Sequence, residues 1–303
     1  VDFDSISSEY SDDIALFWGY QTPFNQELIN QHKEYKHKVL YQHEHPSGLH
    51  SANPEDNMRH MDLAKPFDVV YSNCPNTVDW LNKTHYKTKK YKLGSFLLNE
   101  NYINREPIEK TRDVCYWGNA LMDRTNVIKN IVETISTFNY HFFTLATDGN
   151  FHFAKKYATG VQLPRKTLWE EVRKCKIMVV QNLLYLKPEE VEGVKKIPNW
   201  EKHKSFSNLD ELIIPQMKTR GFEAAFNKTL MLVKKDPWNL VENWFEPGVE
   251  FVYYENEETL KETIEDILNN WEKYELIIEN AFNKAVSRYT TQNFVKKIVK
   301  ETL

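Results

Sequence analysis

Glycine is scarce in this chain, with 9 residues in 303. A glycine-rich phosphate cradle is absent with it. Neither the P-loop pattern nor G-x-G-x-x-G occurs, and no G-x-S-x-G elbow marks a serine hydrolase. Cysteine is scarcer still. Cys74, Cys115 and Cys175 are odd in number and far apart, which fits neither a disulfide framework nor zinc-ligand spacing. A reducing, cytoplasmic setting is therefore expected. No apolar run approaches the roughly 18–20 residues of a membrane span. No charged-then-apolar leader opens the sequence as given, and no repeat of solenoid period is visible. Positive charge is not in excess. Net charge is -4, which disfavours a general nucleic-acid binder while leaving a local basic groove open.

Apolar residues make up 41% of the chain and aromatics 14%, with 16 Tyr and 17 Phe. That is enough for large cores, and the length suits two ordinary domains. After a polar, acidic lead-in at 1–12, apolar strand-like runs recur at 14–20, 38–44, 67–73 and 90–98. Helical stretches separate them: one from Phe24 after the Thr22-Pro23 start signal, one at 77–85 capped by Asn76. Residues 99–112 are polar and read as a linker. The pattern then restarts, with strands at 113–119, 140–146 and 176–182 and helices at 122–136 and 167–175. Residues 185–210 read as an insertion or mobile flap, and everything from Asn256 reads as helix. Alternating strands and helices predict an α/β protein with parallel sheets flanked by helices, a helical C-terminal tail, and domains at 1–108 and 109–303.

The chemistry-bearing residues cluster in Leu212–Tyr254, an apolar run followed by a Thr219-Arg220-Gly221 turn, a short helix carrying Glu223, the strand TLMLV, and EPGVEFVYY read as a further strand. A guanidinium beside the first amides of a helix suits a diphosphate. Glu223, about a turn further on, can accept ribose hydroxyls. The competing reading is structural: Glu223 complements the helix dipole and pairs with Arg220 on the surface. The acid stands at the fourth helical position, so it forms no capping box. Trp117-Gly118-Asn119 follows a strand, where a glycine lets amides approach a phosphate; an ordinary turn has the same signature. Arg124 either points at that crevice or caps acidic surface. His43, Glu44 and His45 stand at the end of the second strand, the edge where open parallel sheets collect ligands. One of them is a candidate general base. The H-x-H spacing lacks a third metal ligand, and loop residues bonded to backbone account for it equally. Asp2-Phe3-Asp4 has a metal-transferase shape but precedes any strand.

The run TRGFEAAFNKTLMLV with WFEPGVEFVYYENEETLKETIEDIL resembles the C-terminal half of GT-B glycosyltransferases, which have two Rossmann-like domains facing across a cleft, and especially the CgeB-like branch. Arg220, Phe222, Glu223, Ala224 and Ala225 carry the first part of the likeness. Glu246, Pro247, Gly248 and Glu250 carry the second, and Glu258 with Leu260 the third. The likeness covers 112–303; in 1–98 only the strand–helix order agrees. It implies a metal-independent transfer of a sugar, with a hexosyl group expected, from a UDP- or GDP-sugar to a hydroxyl of a glycan, lipid-linked sugar or protein. Arg220 and Glu223, with Thr219 and Gly221, would hold diphosphate and ribose. Trp117, Gly118 and Asn119 would line the phosphate side, Gln181 and Asn182 would lie near sugar or base, and Glu44 would be the base if the enzyme inverts. The N-terminal domain would bind the acceptor, and the last helix would cross back onto it. Two positions depart from the pattern: Pro215 stands where many retaining members have a further Glu, and Asn227-Lys228 replace a pair that usually includes Gly. Other readings are a phage-type DNA-base glycosyltransferase, a non-catalytic two-lobed sugar- or nucleotide-binding protein, and a nucleotide-sugar epimerase.

Overall fold

The computed structural model describes residues 13–19, 33–42, 66–84, 90–118, 126–145, 152–185 and 212–302, together with 188, 191 and 195. They fall into two compact units. The first takes Val1–Leu97, Leu186–Met217 and Thr291–Leu303, and the second Leu98–Tyr185 and Lys218–Thr290.

The chain opens in the first unit with β1 (Ile14–Gly19), β2 (His37–Gln42), β3 (Val69–Ser72), α1 (Pro75–Thr84) and β4 (Tyr91–Leu93). In the second unit follow β5 (Arg112–Trp117), α2 (Val127–Ile135), β6 (Tyr140–Thr144), α3 (His152–Tyr157) and β7 (Gly160–Val161). α4 (Arg165–Arg173), β8 (Cys175–Val180) and β9 (Leu183–Tyr185) come next. β10 (Ile213–Pro215) belongs to the first unit. α5 (Arg220–Phe226), β11 (Leu230–Lys234), β12 (Val252–Tyr254), α6 (Glu257–Asn269) and α7 (Glu275–Arg288) complete the second unit, and α8 (Thr291–Thr302) returns to the first.

The first unit holds a parallel sheet in the order β1-β2-β3-β4. Val39, Leu40, Tyr41, Val70 and Tyr71 are buried, as strands covered on both faces must be. α8 supplies part of the cover. Phe294 meets Tyr41 and Tyr71 edge-on at 5.1 and 5.0 Å, and the Tyr71 hydroxyl donates to Glu301 at 2.8 Å.

The second unit holds a six-stranded parallel sheet, ordered β12-β11-β8-β5-β6-β7. Its central runs, Ile177–Val180 and Leu230–Val233, are buried throughout, which explains why they read as continuous apolar stretches rather than alternating ones. α2 and α6 pack into one core, burying Ile128, Ile131, Val132 and Ile135 with Leu260, Ile264 and Ile267. α6 starts at a capping box in which Asn256 accepts from the Thr259 amide and Thr259 accepts from the Asn256 amide.

The segment expected to be a linker is fixed to this unit. Lys110 Nζ donates to the carbonyls of Arg173, Cys175 and Lys228 at 2.8, 3.0 and 2.7 Å. Arg173 donates to the Glu106 carbonyl at 2.6 Å, and Tyr102 lies edge-on to Trp169.

Other expectations are corrected. The strand expected at 90–98 stops at Leu93. In EPGVEFVYY only Val252–Tyr254 is strand. Glu246–Phe251 form a turn in which Gly248 has φ +76° and donates to the Phe251 carbonyl at 2.8 Å. Glu250 accepts from the Glu246 amide at 2.7 Å and pairs with Lys284 at 2.6 Å. α3 and β7 went unforeseen, being short and without periodicity. The helix expected from Phe24 lies outside the described residues up to residue 32, as does most of 185–210. Among the described residues no helix is long and apolar enough to cross a membrane. All three cysteines are buried, and none forms a disulfide.

Candidate functional site

The strand order of the second unit sets where its candidate residues fall. From β5 the chain builds outward through β6 and β7, then crosses to the other side of β5 for β8, β11 and β12. The order therefore reverses between β5 and β8. In doubly wound sheets ligands bind at the C-terminal ends of the strands flanking such a reversal. β5 ends at Trp117, followed by Gly118, and β8 ends at Val180, followed by Gln181 and Asn182.

α5 brings the remaining candidates to Trp117. The helix is short and buried from Gly221 to Phe226. Phe222 anchors its other side, edge-on to Trp244, Phe245 and Tyr289 at 5.7, 5.4 and 5.3 Å. Thr219, at its start, makes no side-chain cap bond. At its end Asn227 donates to the Glu223 carbonyl at 2.7 Å, and Lys228 takes the left-handed conformation, φ 49°. That is the conformation a glycine adopts at a helix end without strain. The chain reaches it with a lysine whose Nζ pairs with Glu279 at 2.6 Å.

With α5 so placed, Trp117 Nε1 donates to Glu223 Oε2 at 2.9 Å. The Trp117 carbonyl accepts from Arg220 Nε, and the Arg220 guanidinium lies over the indole at 5.2 Å from its centroid. Glu223 is 3% exposed. Arg220 and Glu223 form no ion pair with each other, and neither pairs with another charge among the described residues. The reading of the two as surface dressing therefore fails: the carboxylate is buried and both side chains are drawn to Trp117. The hydrogen bonds of these two side chains use Arg220 Nε and Glu223 Oε2.

Gly118 is buried for a different reason from the one expected. Its amide donates to the Phe143 carbonyl at 3.0 Å, so that amide is already committed. A Cβ there would lie 2.8 Å from the Tyr116 ring and hydroxyl. Gln181 is also internally engaged, accepting from the Leu183 amide at 3.0 Å. Asn182 is not fully engaged. It is wholly buried, its Oδ1 accepts from the Lys218 amide at 3.0 Å, and its Nδ2 has no hydrogen-bond partner. Buried amides are nearly always satisfied; Asn182 Nδ2 is among several buried polar atoms here that lack a hydrogen-bond partner. Lys218, which sequence reasoning passed over, also donates from Nζ to the Leu183 carbonyl at 2.9 Å. No pattern in MKTRG distinguishes it from a surface lysine.

His43, Glu44, His45, Asn119 and Arg124 lie outside the described residues. Among the described residues no group of three or more His, Cys, Asp or Glu is placed to hold a metal ion.

Known proteins resemble this chain in sequence over one segment and in fold over most of its length. Residues 201–300, which contain α5 and the EPGVE turn, match the glycosyl transferase-like family. No curated protein sequence matches the chain. Among solved structures, sucrose-phosphate synthase from Thermosynechococcus elongatus superposes with a TM-score of 0.64 at 10% identity, covering 99% of this chain and 76% of that one. Anabaena HepE in complex with UDP gives 0.64 at 12% identity, covering 95% and 79%. The pneumococcal O-GlcNAc transferase GtfA, in complex with UDP and GlcNAc, gives 0.57 at 11%, covering 94% and 56%.

The chain has the GT-B glycosyltransferase fold. Within that fold the switch point of the second unit carries Trp117, Arg220, Glu223 and Asn182 together. Thr219 makes no side-chain cap bond at the start of α5, and Gly221 is buried within it.

Proposed function

We propose that this GT-B chain is a glycosyltransferase moving a hexosyl group from a nucleotide-diphosphate sugar, most readily a UDP-sugar, to an acceptor hydroxyl. One observation carries the reading. In the segment that matches the glycosyl transferase-like family, Arg220 and Glu223 converge on Trp117 at the sheet's switch point, each with an uncommitted polar end.

Each group has a role in the reading. The terminal nitrogens of Arg220 take the diphosphate and offset the charge that develops as it leaves, an electrostatic contribution that needs no metal. Glu223 Oε1 accepts from the ribose, and Asn182 Nδ2 meets an acceptor on sugar or base. The complexes of HepE with UDP and with UDP-glucose support uridine as the base. The N-terminal unit takes the acceptor, a glycan, lipid-linked sugar or protein; the net charge of -4 does not favour nucleic acid. An inverting reaction needs a base from that unit. Glu44 is the first choice, then His43 or His45.

A thermal-shift series with UDP-, GDP-, ADP- and TDP-sugars tests the donor site. At least one should stabilise the protein, a UDP-sugar most, and Arg220→Ala and Glu223→Ala should each abolish the shift. Stabilisation by none of them sinks the reading. Transfer of labelled sugar to acceptor, against slow hydrolysis alone, then separates a transferase from a binding protein.

A further inference from the structure

The donor site rests on a helix too short to hold itself. α5 spans Arg220–Phe226 and starts without a side-chain cap, and isolated helices of this length do not persist in water. What fixes its two functional side chains is the tip of β5. Trp117 makes three separate contacts there: its carbonyl to Arg220 Nε, its ring under the guanidinium, and its indole N–H to Glu223 Oε2. The first two orient Arg220 and the third orients Glu223. They are chemically separable, because only the third uses Nε1.

We infer that Trp117 is the positioning residue of the donor site, and that its indole N–H sets recognition of the ribose hydroxyls independently of diphosphate binding. The inference rests on the donor-site reading of Arg220 and Glu223. A long arginine side chain loses much rotamer freedom when it grips a ligand; clamped in advance, it has less left to lose. The buried Glu223 carboxylate has the indole as its hydrogen-bond donor, and that bond turns Oε1 toward one position. Without it the carboxylate rotates and the ribose hydroxyls meet no fixed acceptor.

The test compares Kd values for UDP, 2′,3′-dideoxy-UDP and inorganic pyrophosphate in wild-type protein and Trp117→Phe. Phe keeps an aromatic ring and the main-chain carbonyl and removes the N–H along with part of the indole's bulk. Wild type should prefer UDP over the dideoxy analogue by about tenfold or more, the scale on which a site built to bond a hydroxyl rejects its absence. In Trp117→Phe that preference should fall toward one, while the analogue and pyrophosphate bind as before. A merely structural role would weaken all three ligands together, and that result, or an unchanged preference, overturns the inference. If the variant does not fold, Glu223→Asp draws the carboxylate back from the indole N–H and has to give the same selective loss. Wild-type protein that binds neither UDP nor pyrophosphate sinks the donor-site reading itself.

Discussion

Trp117 and Glu223 lie 106 positions apart in sequence, yet the indole nitrogen of one donates to the carboxylate of the other at 2.9 Å. Arg220, three residues before Glu223, turns to the same tryptophan instead of to the acid. The charges are thus held side by side without neutralising each other, which is the state a site must keep if a ligand is to use both. Arg220→Lys tests this arrangement. Lysine keeps the positive charge but has neither an Nε at that position nor a planar fork for two phosphate oxygens. Affinity for UDP by titration calorimetry should fall about ten- to a hundredfold, the worth of a charged bidentate contact. The melting temperature should stay within a few degrees.

Gly248 allows a test of the fold that leaves the site alone. Its φ of +76° is a conformation that costs an L-residue about 1–2 kcal/mol, and an added Cβ would meet nothing within 4 Å. Gly248→Ala should therefore lower stability by backbone strain alone, shifting the melting temperature down by roughly 2–8 °C. UDP affinity should not change. A clash-driven loss is expected instead from Gly118→Ala, where the Cβ would press on Tyr116 next to Trp117; there donor affinity should fall with stability.

Lys110 ties residues 98–111 to the second unit through three carbonyls. Burial brings its pKa down from the ordinary 10.5 to about 8. Between those values the unfolded chain keeps the proton and the folded chain has released it, so stability rises with pH through that window and is level below it. Lys110→Met leaves the carbonyls without their donor and should cost about 1–3 kcal/mol in urea unfolding. It also removes the titration, so the stability difference between wild type and variant should widen from pH 8 to pH 10. A difference independent of pH would show that the ammonium stays charged in the folded protein.

How far the sequence was legible follows from where each element draws its order. β8 and β11 were readable because strands buried on both faces must be apolar throughout, and KIMVV and LMLV are. α5 was readable as a helix start from Thr219-Arg220-Gly221. β7 has two residues, Gly160 and Val161, and exists only by pairing with Phe143 and Thr144, a long-range contact with no local signal. The EPGVE run carries β-forming residues, but Gly248 and the Glu250–Lys284 pair turn it before Val252. The site shows the same division. Arg220 and Glu223 stood out by residue type, while the contacts they make lie with Trp117, across a distance no spacing rule spans. Gly118 was singled out as a place for a phosphate; what the structure shows there is its contact with Tyr116 and its bond to Phe143.

Asn182 offers the last test. Its Oδ1 is held by the Lys218 amide, so the orientation of the amide is fixed and Nδ2 must be the idle donor. Asn182→Asp keeps Oδ1 for Lys218 and replaces the donor by an acceptor. If Nδ2 serves an oxygen of the nucleotide sugar, the variant opposes two acceptors, one of them charged, and UDP-sugar affinity near pH 7.5 should fall more than about tenfold. Burial at this site raises the pKa of the new carboxyl, so lowering the pH protonates it and gives back one O–H donor, and affinity relative to wild type should recover toward pH 5. Melting curves without ligand, taken at each pH, separate this from unfolding. Affinity that is unchanged at both pH values would leave Asn182 without a part in donor binding and the nucleotide to Arg220 and Glu223.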